Sequence, residues 1–199
     1  MLEQSFREGC QRYLLDPAMP WLSKWTSPIG LTLASGCLGI LCSIAIVANW
    51  PMTATILLLF SGWLDMADGS LARYQNKPSS LGAALDIFVD RVVECAVVVA
   101  LFLQFPPDRG LMCLLMFASM LLCITSFLVV GIFTENQTQK SFHYSPGLME
   151  RAEAFIFFIM MIFLPQYFTI LAISFSLLVL WTGIYRIFEF IQVSRQTSQ

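Results

Sequence analysis

The sequence has little charge and almost no histidine. Charged side chains make up 12% of the 199 residues, and His143 is the single histidine, whereas a typical soluble domain is about 25% charged. Hydrophobic residues reach 57% of the chain. These proportions exclude an ordinary soluble globule and a disordered chain. The net charge of −2 offers no basic excess for binding a nucleic acid, so we expect no nucleic-acid partner.

Paired cysteine motifs are missing as well. The chain has six cysteines but no Cys-x-x-Cys pair, and five of the six lie inside apolar runs. Cysteine in such a setting usually serves as a small apolar side chain. We therefore expect neither a disulfide framework nor a zinc site.

The first residues lack the continuous apolar stretch of a signal peptide. Residues 1–15 instead alternate charged and apolar side chains at helical spacing. This pattern is typical of a short amphipathic helix lying in a membrane interface, and a frayed polar tail is the alternative. Trp21 and Trp25 follow, at a position typical of interfacial aromatic residues.

Six long apolar runs fill the rest of the chain. They lie near 28–48, 52–74, 80–104, 110–133, 147–165 and 167–191. A membrane-spanning helix needs about 20 apolar residues. The sequence therefore predicts an all-α integral membrane protein with six transmembrane helices and an N-terminal interfacial helix. Residues 1–25 would form the interfacial segment, and residues 26–192 the six-helix membrane domain.

The basic residues indicate how these spans are oriented. Six spans put both termini on one side of the membrane, and that side would hold every Lys and Arg except Arg109. Such an excess is typical of the cytoplasmic side. We expect the termini and the loops 74–80 and 134–146 to be cytoplasmic.

Four aspartates interrupt the second and third spans. A carboxylate at the centre of a membrane helix costs roughly 2.5–3.5 kcal/mol, so four of them need compensating partners even near the interface. Asp65 and Asp68 are three residues apart, and Asp86 and Asp90 are four apart, so each pair shares one helix face. The short connection between the spans predicts antiparallel neighbours, on which the four carboxylates converge.

Oxygen ligands of this kind suit Mg²⁺, Mn²⁺ or Ca²⁺ better than zinc or copper. Four acids can hold two cations, an arrangement that binds a diphosphate and stabilises charge during displacement at phosphorus. Arg73 could hold a phosphate with two hydrogen bonds. Small residues at Gly69, Ala72 and Gly82 would let a ligand approach closely. The less specific interpretation is that the acids are helix caps or solvated faces.

From Asp65 to Asp90 the chain reads DMADGSLARYQNKPSSLGAALDIFVD. This segment resembles, at every fixed position, the motif of the CDP-alcohol phosphatidyltransferase family. The matching residues are Asp65, Asp68, Gly69, Ala72, Arg73, Gly82, Asp86 and Asp90. Near the start of the first span, Pro28 and Thr32 also match a Pro-Asn-x-x-Thr stretch of many relatives, although Ile29 replaces the polar residue.

The resemblance implies a membrane enzyme that transfers a phosphatidyl or similar group from a CDP-linked donor to an alcohol hydroxyl and releases CMP. It implies two divalent cations, Mg²⁺ or Mn²⁺, and a homodimer. The implied metal ligands are Asp65, Asp68, Asp86 and Asp90. Asp90 would also be the general base on the acceptor hydroxyl. The implied contacts with the CDP donor are Asp68, Gly69, Ala72, Arg73 and Gly82.

The acceptor site is less defined in the sequence. Lys140 and Arg151 are the candidates, and positive-inside anchoring explains them equally well. The stretches KSFHY and GLMERAE look like those of uncharacterised bacterial inner-membrane members of the family. This resemblance implies that the protein lies in a bacterial inner membrane, with its active site on the cytoplasmic side.

Glu94 lies deeper in the third span and is assigned no catalytic role. We expect it to bond a polar neighbour on another helix.

Several functions fit these features. The favoured one uses a CDP-linked lipid, above all CDP-diacylglycerol, as donor to a small polar alcohol. In a variant of it, a soluble CDP-alcohol donates to diacylglycerol. A divalent-cation transporter belongs to another class, but such proteins usually show internal repeats and broken helices, which we do not find in the sequence. An inactive family member that only binds a partner is disfavoured by the complete motif.

Overall fold

The computed structural model describes residues 19–76, 79–135, 149 and 151–197. Helices make up nearly all of this part of the chain, and no strand occurs in it. The all-α fold class is therefore confirmed. The predicted amphipathic helix at 1–15 lies outside the described residues.

The helices follow the predicted apolar runs closely. They are α1 Met19–Trp25, α2 Pro28–Val47, α3 Pro51–Tyr74, α4 Ser80–Gln104, α5 Pro106–Glu135, α6 Arg151–Phe163 and α7 Phe168–Thr197, with a 3₁₀ turn at Pro165–Tyr167 before α7. One difference is at α5, which begins at Pro106 rather than at 110. Proline fits the first turn of a helix, where the missing N–H group would have no helical partner. Pro106 and Pro107 therefore open the helix instead of forming the preceding turn.

By length and composition, three segments among the described residues could cross a membrane: Pro28–Val47, Pro106–Phe133 and Pro165–Ser194. They make the chain an integral membrane protein. Helices α3 and α4 have 24 and 25 residues, which is long enough, but their acidic residues interrupt the apolar sequence. Helix α6 has 13 residues, fewer than a span of about 20 needs. The count of six spans stays a prediction.

The chain divides into two compact units, Met1–Asp108 and Arg109–Gln199. In the first unit α2 is the shared partner, because it packs extensively against both α3 and α4. Both predicted neighbours, α3 and α4, are therefore held by α2.

Small residues explain why α2 can take this position. A Cβ built at Gly36 would lie 2.8 Å from Cγ1 of Val89 on α4, so only glycine permits the observed approach. On the side facing α3, Ser61 Oγ donates a hydrogen bond of 2.9 Å to the carbonyl of Ser35. Close packing through small residues and hydrogen bonds between helices are the usual means of association where water is absent.

In the second unit, apolar and aromatic side chains join α6 to α7. Phe158 and Phe175 are fully buried, and their ring centroids are 5.6 Å apart. The N–H group of Met149, just before α6, donates to Thr182 Oγ1 on α7 at 3.0 Å. This bond fixes the chain where it enters α6.

Candidate active site

Three of the four motif aspartates come together in the first unit. Asp65 and Asp68 on α3 and Asp86 on α4 each offer a carboxylate oxygen, and these three oxygens lie within 4.8 Å of one another. Asp68 is buried, and the other two side chains are partly buried. The spacing of the sequence therefore predicted a real convergence of acids from two helices.

Asp90 does not belong to that group of three among the described residues. It lies one helical turn after Asp86 on α4 and is partly buried. The predicted convergence of all four carboxylates is therefore observed for three of them. The fourth stands beside the cluster, at a separation of one turn along the same helix.

The first turn of α4 is set by a cap close to the acids. Ser79 takes an extended backbone conformation, and its hydroxyl oxygen accepts a hydrogen bond of 3.0 Å from the N–H group of Gly82. A Cβ at Gly82 would lie only 3.0 Å from that oxygen. Gly82 thus allows a close cap one turn before Asp86. A hydroxyl cap of this kind stabilises a helix start by about 1 kcal/mol.

Helix α2 contacts the acidic cluster directly. Thr32 Oγ1 donates a hydrogen bond of 2.5 Å to Oδ2 of Asp68. The match of Pro28 and Thr32 to the family stretch gave a signal for this threonine, but its contact with Asp68 was not predicted. Only the packing of α2 against α3 reveals that the two side chains meet.

Arg73 lies along the end of α3 instead of pointing away from the protein. Its Nη2 donates to Ser70 Oγ at 3.2 Å, and a Cβ at Gly69 would lie 3.5 Å from its Nη1. The guanidinium is therefore close to Gly69, which has no side chain to cover it. Arg73 is exposed, and Ala72, which precedes it in the sequence, is partly buried.

Glu94 has a different partner from the one expected. Among the described residues it bonds Arg91 of its own helix at 2.6 Å and no polar group of another helix. The glutamate is 4% exposed, and it is near enough to Asp65 for their charges to interact. Arg91 therefore supplies a positive charge beside a buried acid at the edge of the aspartate cluster.

Of the two acceptor candidates, Lys140 lies outside the described residues. Arg151 is the first residue of α6, and its guanidinium carbon lies 5.2 Å from the ring centroid of Phe155. This stacking holds the arginine side chain against its own helix.

The acidic cluster fits a divalent cation. Its donors are all carboxylate oxygens, the type that Mg²⁺ and Mn²⁺ prefer. The Oδ1 atoms of Asp65 and Asp86 are buried and accept no hydrogen bond from the described residues, although both carboxylates make other interactions. Three close carboxylates in a largely apolar protein repel one another unless a positive charge lies among them. The geometry is thus that of a site for divalent metal.

The fold and this acidic site define an integral membrane protein with a candidate site for divalent metal. The family model of the CDP-alcohol phosphatidyltransferases matches residues 25–187. The chain belongs to that family, and the resemblance seen in the sequence is confirmed. It is an enzyme of this class, which transfers a substituted phosphate group from a CDP-linked donor to an alcohol.

Curated proteins with similar sequences include an inner membrane protein and several CDP-diacylglycerol–inositol 3-phosphatidyltransferases. The chain is 27% identical over 166 residues to "Inner membrane protein YnjF" of Escherichia coli, covering 80% of this chain and 77% of that protein. It is 39% identical over 64 residues to the CDP-diacylglycerol–inositol 3-phosphatidyltransferase of Saccharomyces cerevisiae, which covers 32% of this chain and 29% of that enzyme. The similarity to the inositol enzyme is therefore confined to a part of each chain.

Solved structures show the same fold. The phosphatidylinositol phosphate synthase PgsA1 of Mycobacterium tuberculosis, in a crystal structure with CDP-DAG bound, matches with a TM-score of 0.71 and 17% identity over 89% of this chain and 93% of that one. A second structure of the same synthase, with manganese and citrate, gives a TM-score of 0.71 and 16% identity over 89% of this chain and 88% of that one.

Proposed function

We propose that this protein transfers a phosphatidyl group from CDP-diacylglycerol to the hydroxyl of a small polar alcohol and releases CMP. The observation that carries the proposal is the group of three carboxylates from α3 and α4, with one oxygen of each within 4.8 Å of the others. A relative of the same fold has been crystallised with CDP-DAG, which supports a CDP-linked lipid as the donor.

Two divalent cations, Mg²⁺ or Mn²⁺, are the proposed cofactors. Asp65, Asp68 and Asp86 would hold them, and Asp90 would contribute the fourth carboxylate. When bound, such ions neutralise the diphosphate and stabilise the charge that develops at phosphorus. The manganese in a structure of the mycobacterial synthase is in keeping with this choice.

Asp90 is the proposed general base. A carboxylate near a bound alcohol can take the hydroxyl proton as the oxygen attacks phosphorus. The new bond joins the alcohol oxygen to the phosphorus of the phosphatidyl group, and the bond from that phosphorus to the CMP oxygen breaks. The proton rests on Asp90 until it passes to water, and CMP leaves as an anion. Asp90 would thus combine the role of base with that of the fourth metal ligand.

The CDP moiety is proposed to lie against the end of α3 and the start of α4. Gly69, Ala72 and Gly82 have small side chains or none, so a nucleotide can approach the backbone. Arg73, whose guanidinium lies beside Gly69, would bond the diphosphate, and Asp68 would contact the donor as well. Lys140 and Arg151 are the proposed contacts of the acceptor alcohol.

The setting proposed for this chemistry is a bacterial inner membrane. The protein is proposed to cross this membrane six times, with both termini and the active site on the cytoplasmic side, and to form a homodimer. The supporting observation is the distribution of Lys and Arg, of which Arg109 alone falls on the other side of a six-span layout.

One experiment tests the donor and the acceptor together. The purified protein in lipid nanodiscs is given CDP-diacylglycerol, Mg²⁺ or Mn²⁺ and a panel of alcohols that includes inositol, inositol phosphate, glycerol phosphate and serine. Mass spectrometry then identifies the lipid, and CMP is measured in parallel. We expect CMP and one new phospholipid, both abolished by EDTA and restored by Mg²⁺ or Mn²⁺.

The alternative, in which a soluble CDP-alcohol is the donor and the lipid is the acceptor, is tested in the same nanodiscs. A panel of soluble CDP-alcohols is offered with diacylglycerol as acceptor. CMP release in this arm and none with CDP-diacylglycerol would contradict the proposed donor. Transport of Mn²⁺ into liposomes without any CDP compound would instead favour a cation transporter.

A further inference from the structure

The acid that is most deeply buried in the cluster is held by a residue of another helix. Asp68 is 6% exposed and Thr32 is 3% exposed. The hydroxyl of Thr32 lies 2.5 Å from Asp68 Oδ2 and 3.2 Å from the carbonyl oxygen of Pro28 in its own helix. A hydroxyl has a single proton to donate. The shorter distance, and the charge on the acceptor, assign that proton chiefly to Asp68.

This bond restrains the carboxylate. An aspartate can rotate about its Cβ–Cγ bond, and a fixed donor on one oxygen selects one orientation of the group. Side chains that orient ligand carboxylates in this way commonly change metal affinity by about 10–100-fold when removed. The restraint comes from α2, which packs against both α3 and α4.

We propose that Thr32 is a positioning residue of the metal site, which orients Asp68 by donating a hydrogen bond to its Oδ2. This inference rests on the proposed function, since it takes Asp68 as a ligand of the divalent cation. Thr32 itself touches neither the cation nor the reacting atoms. Its contribution is to fix the ligand before a cation arrives.

The decisive variants are Thr32→Val and Thr32→Ser. Valine has nearly the shape of threonine but cannot donate a hydrogen bond, whereas serine keeps the hydroxyl. The probe is Mn²⁺ itself, added to the full-length protein in nanodiscs and followed by electron paramagnetic resonance. We expect Thr32→Val to raise the dissociation constant for Mn²⁺ by about tenfold or more, and Thr32→Ser to stay within about threefold of the wild type.

Ser61→Ala is the matched control. It removes a hydrogen bond of 2.9 Å between the same two helices, but that bond goes to the backbone of Ser35 and not to a carboxylate. If Thr32 acted only by joining α2 to α3, Ser61→Ala would weaken Mn²⁺ binding to a similar extent. We expect its Mn²⁺ affinity to equal that of the wild type.

Two further readouts separate positioning from folding. The stabilisation of the protein by saturating Mn²⁺ against heat should shrink in Thr32→Val, and the Mn²⁺ concentration for half-maximal CMP release should rise more than the maximal rate falls. Equal Mn²⁺ affinity in the wild type and Thr32→Val would overturn the positioning role while leaving the proposed function intact. Absence of Mn²⁺ binding by the wild type would overturn both.

Discussion

Gly39 of α2 meets Val93 of α4 at a distance that leaves no room for a side chain on the glycine. A Cβ built at Gly39 would lie 2.4 Å from Cγ2 and 2.6 Å from Cγ1 of Val93, which is fully buried. Val93 follows Asp90 by three residues on α4. The contact therefore sets the distance at which α4 presents its acids beside α2.

We expect Gly39→Ala to push α4 away from α2 and to impair both stability and catalysis. Overpacking of a buried contact costs typically about 1–3 kcal/mol, and a shifted α4 would move Asp86 away from the acids of α3. The double variant Gly39→Ala with Val93→Ala should recover part of the thermal stability and of the CMP release. Thermal unfolding in detergent and CMP release measure the two effects.

Cys37→Ala is the control for that experiment, because Cys37 is an exposed residue on the same helix. It should leave both quantities unchanged. If Gly39→Ala were as stable and as active as the wild type, α2 would not set the position of α4.

Asp65→Asn should weaken metal binding. The amide keeps the size of the carboxylate but removes a negative charge from the group of three acids. We expect the dissociation constant for Mn²⁺ to rise by at least about tenfold, since loss of a ligand should cost no less than loss of a residue that supports one. Asp108→Asn is the control, because Asp108 is an exposed acid in the first turn of α5. Equal Mn²⁺ binding by Asp65→Asn and the wild type would contradict the assigned role.

Asp90→Asn should affect turnover more than metal binding. Asp90 stands outside the group of three oxygens, so its loss should weaken Mn²⁺ binding less than the loss of one of those three acids. Removal of a general base typically lowers the rate by about 10²–10⁴-fold. We expect CMP release to fall by at least about 100-fold in a protein that still inserts into the membrane. A near-normal rate would show that another group takes the proton.

The sequence carried enough information for the helices and for the grouping of the acids. Apolar runs of nearly the right length predicted the helices, because burial in lipid demands continuous apolar segments. Spacings of three and four residues predicted the shared faces, since these follow from helix geometry alone. That is why the pattern of Asp65, Asp68 and Asp86 sufficed to assign them to one cluster.

What the sequence could not supply was the arrangement between helices. The short connection after α3 predicted that α3 and α4 are neighbours, but not that α2 packs against both of them. The spacing of Gly36 and Gly39 on one face of α2 was the available signal for that contact. The partner of Glu94 was missed for a related reason, because an ion pair with Arg91 on the same helix is as compatible with the sequence as one across helices.

The two side chains of the ion pair between Arg91 and Glu94 differ in burial, so removing one should not have the same effect as removing the other. The side chain of Glu94 is 5% exposed and that of Arg91 is 36% exposed. Arg91→Ala would leave a buried carboxylate beside Asp65 without its positive partner, and stranding a buried polar or charged group costs about 1–3 kcal/mol or more. Glu94→Ala would leave only an arginine that can extend to a polar environment. We therefore expect Arg91→Ala to lower the midpoint of thermal unfolding more than Glu94→Ala does. The double variant Arg91→Ala with Glu94→Ala should be more stable than Arg91→Ala alone, and a double variant that is less stable would show that the buried acid has another source of compensation.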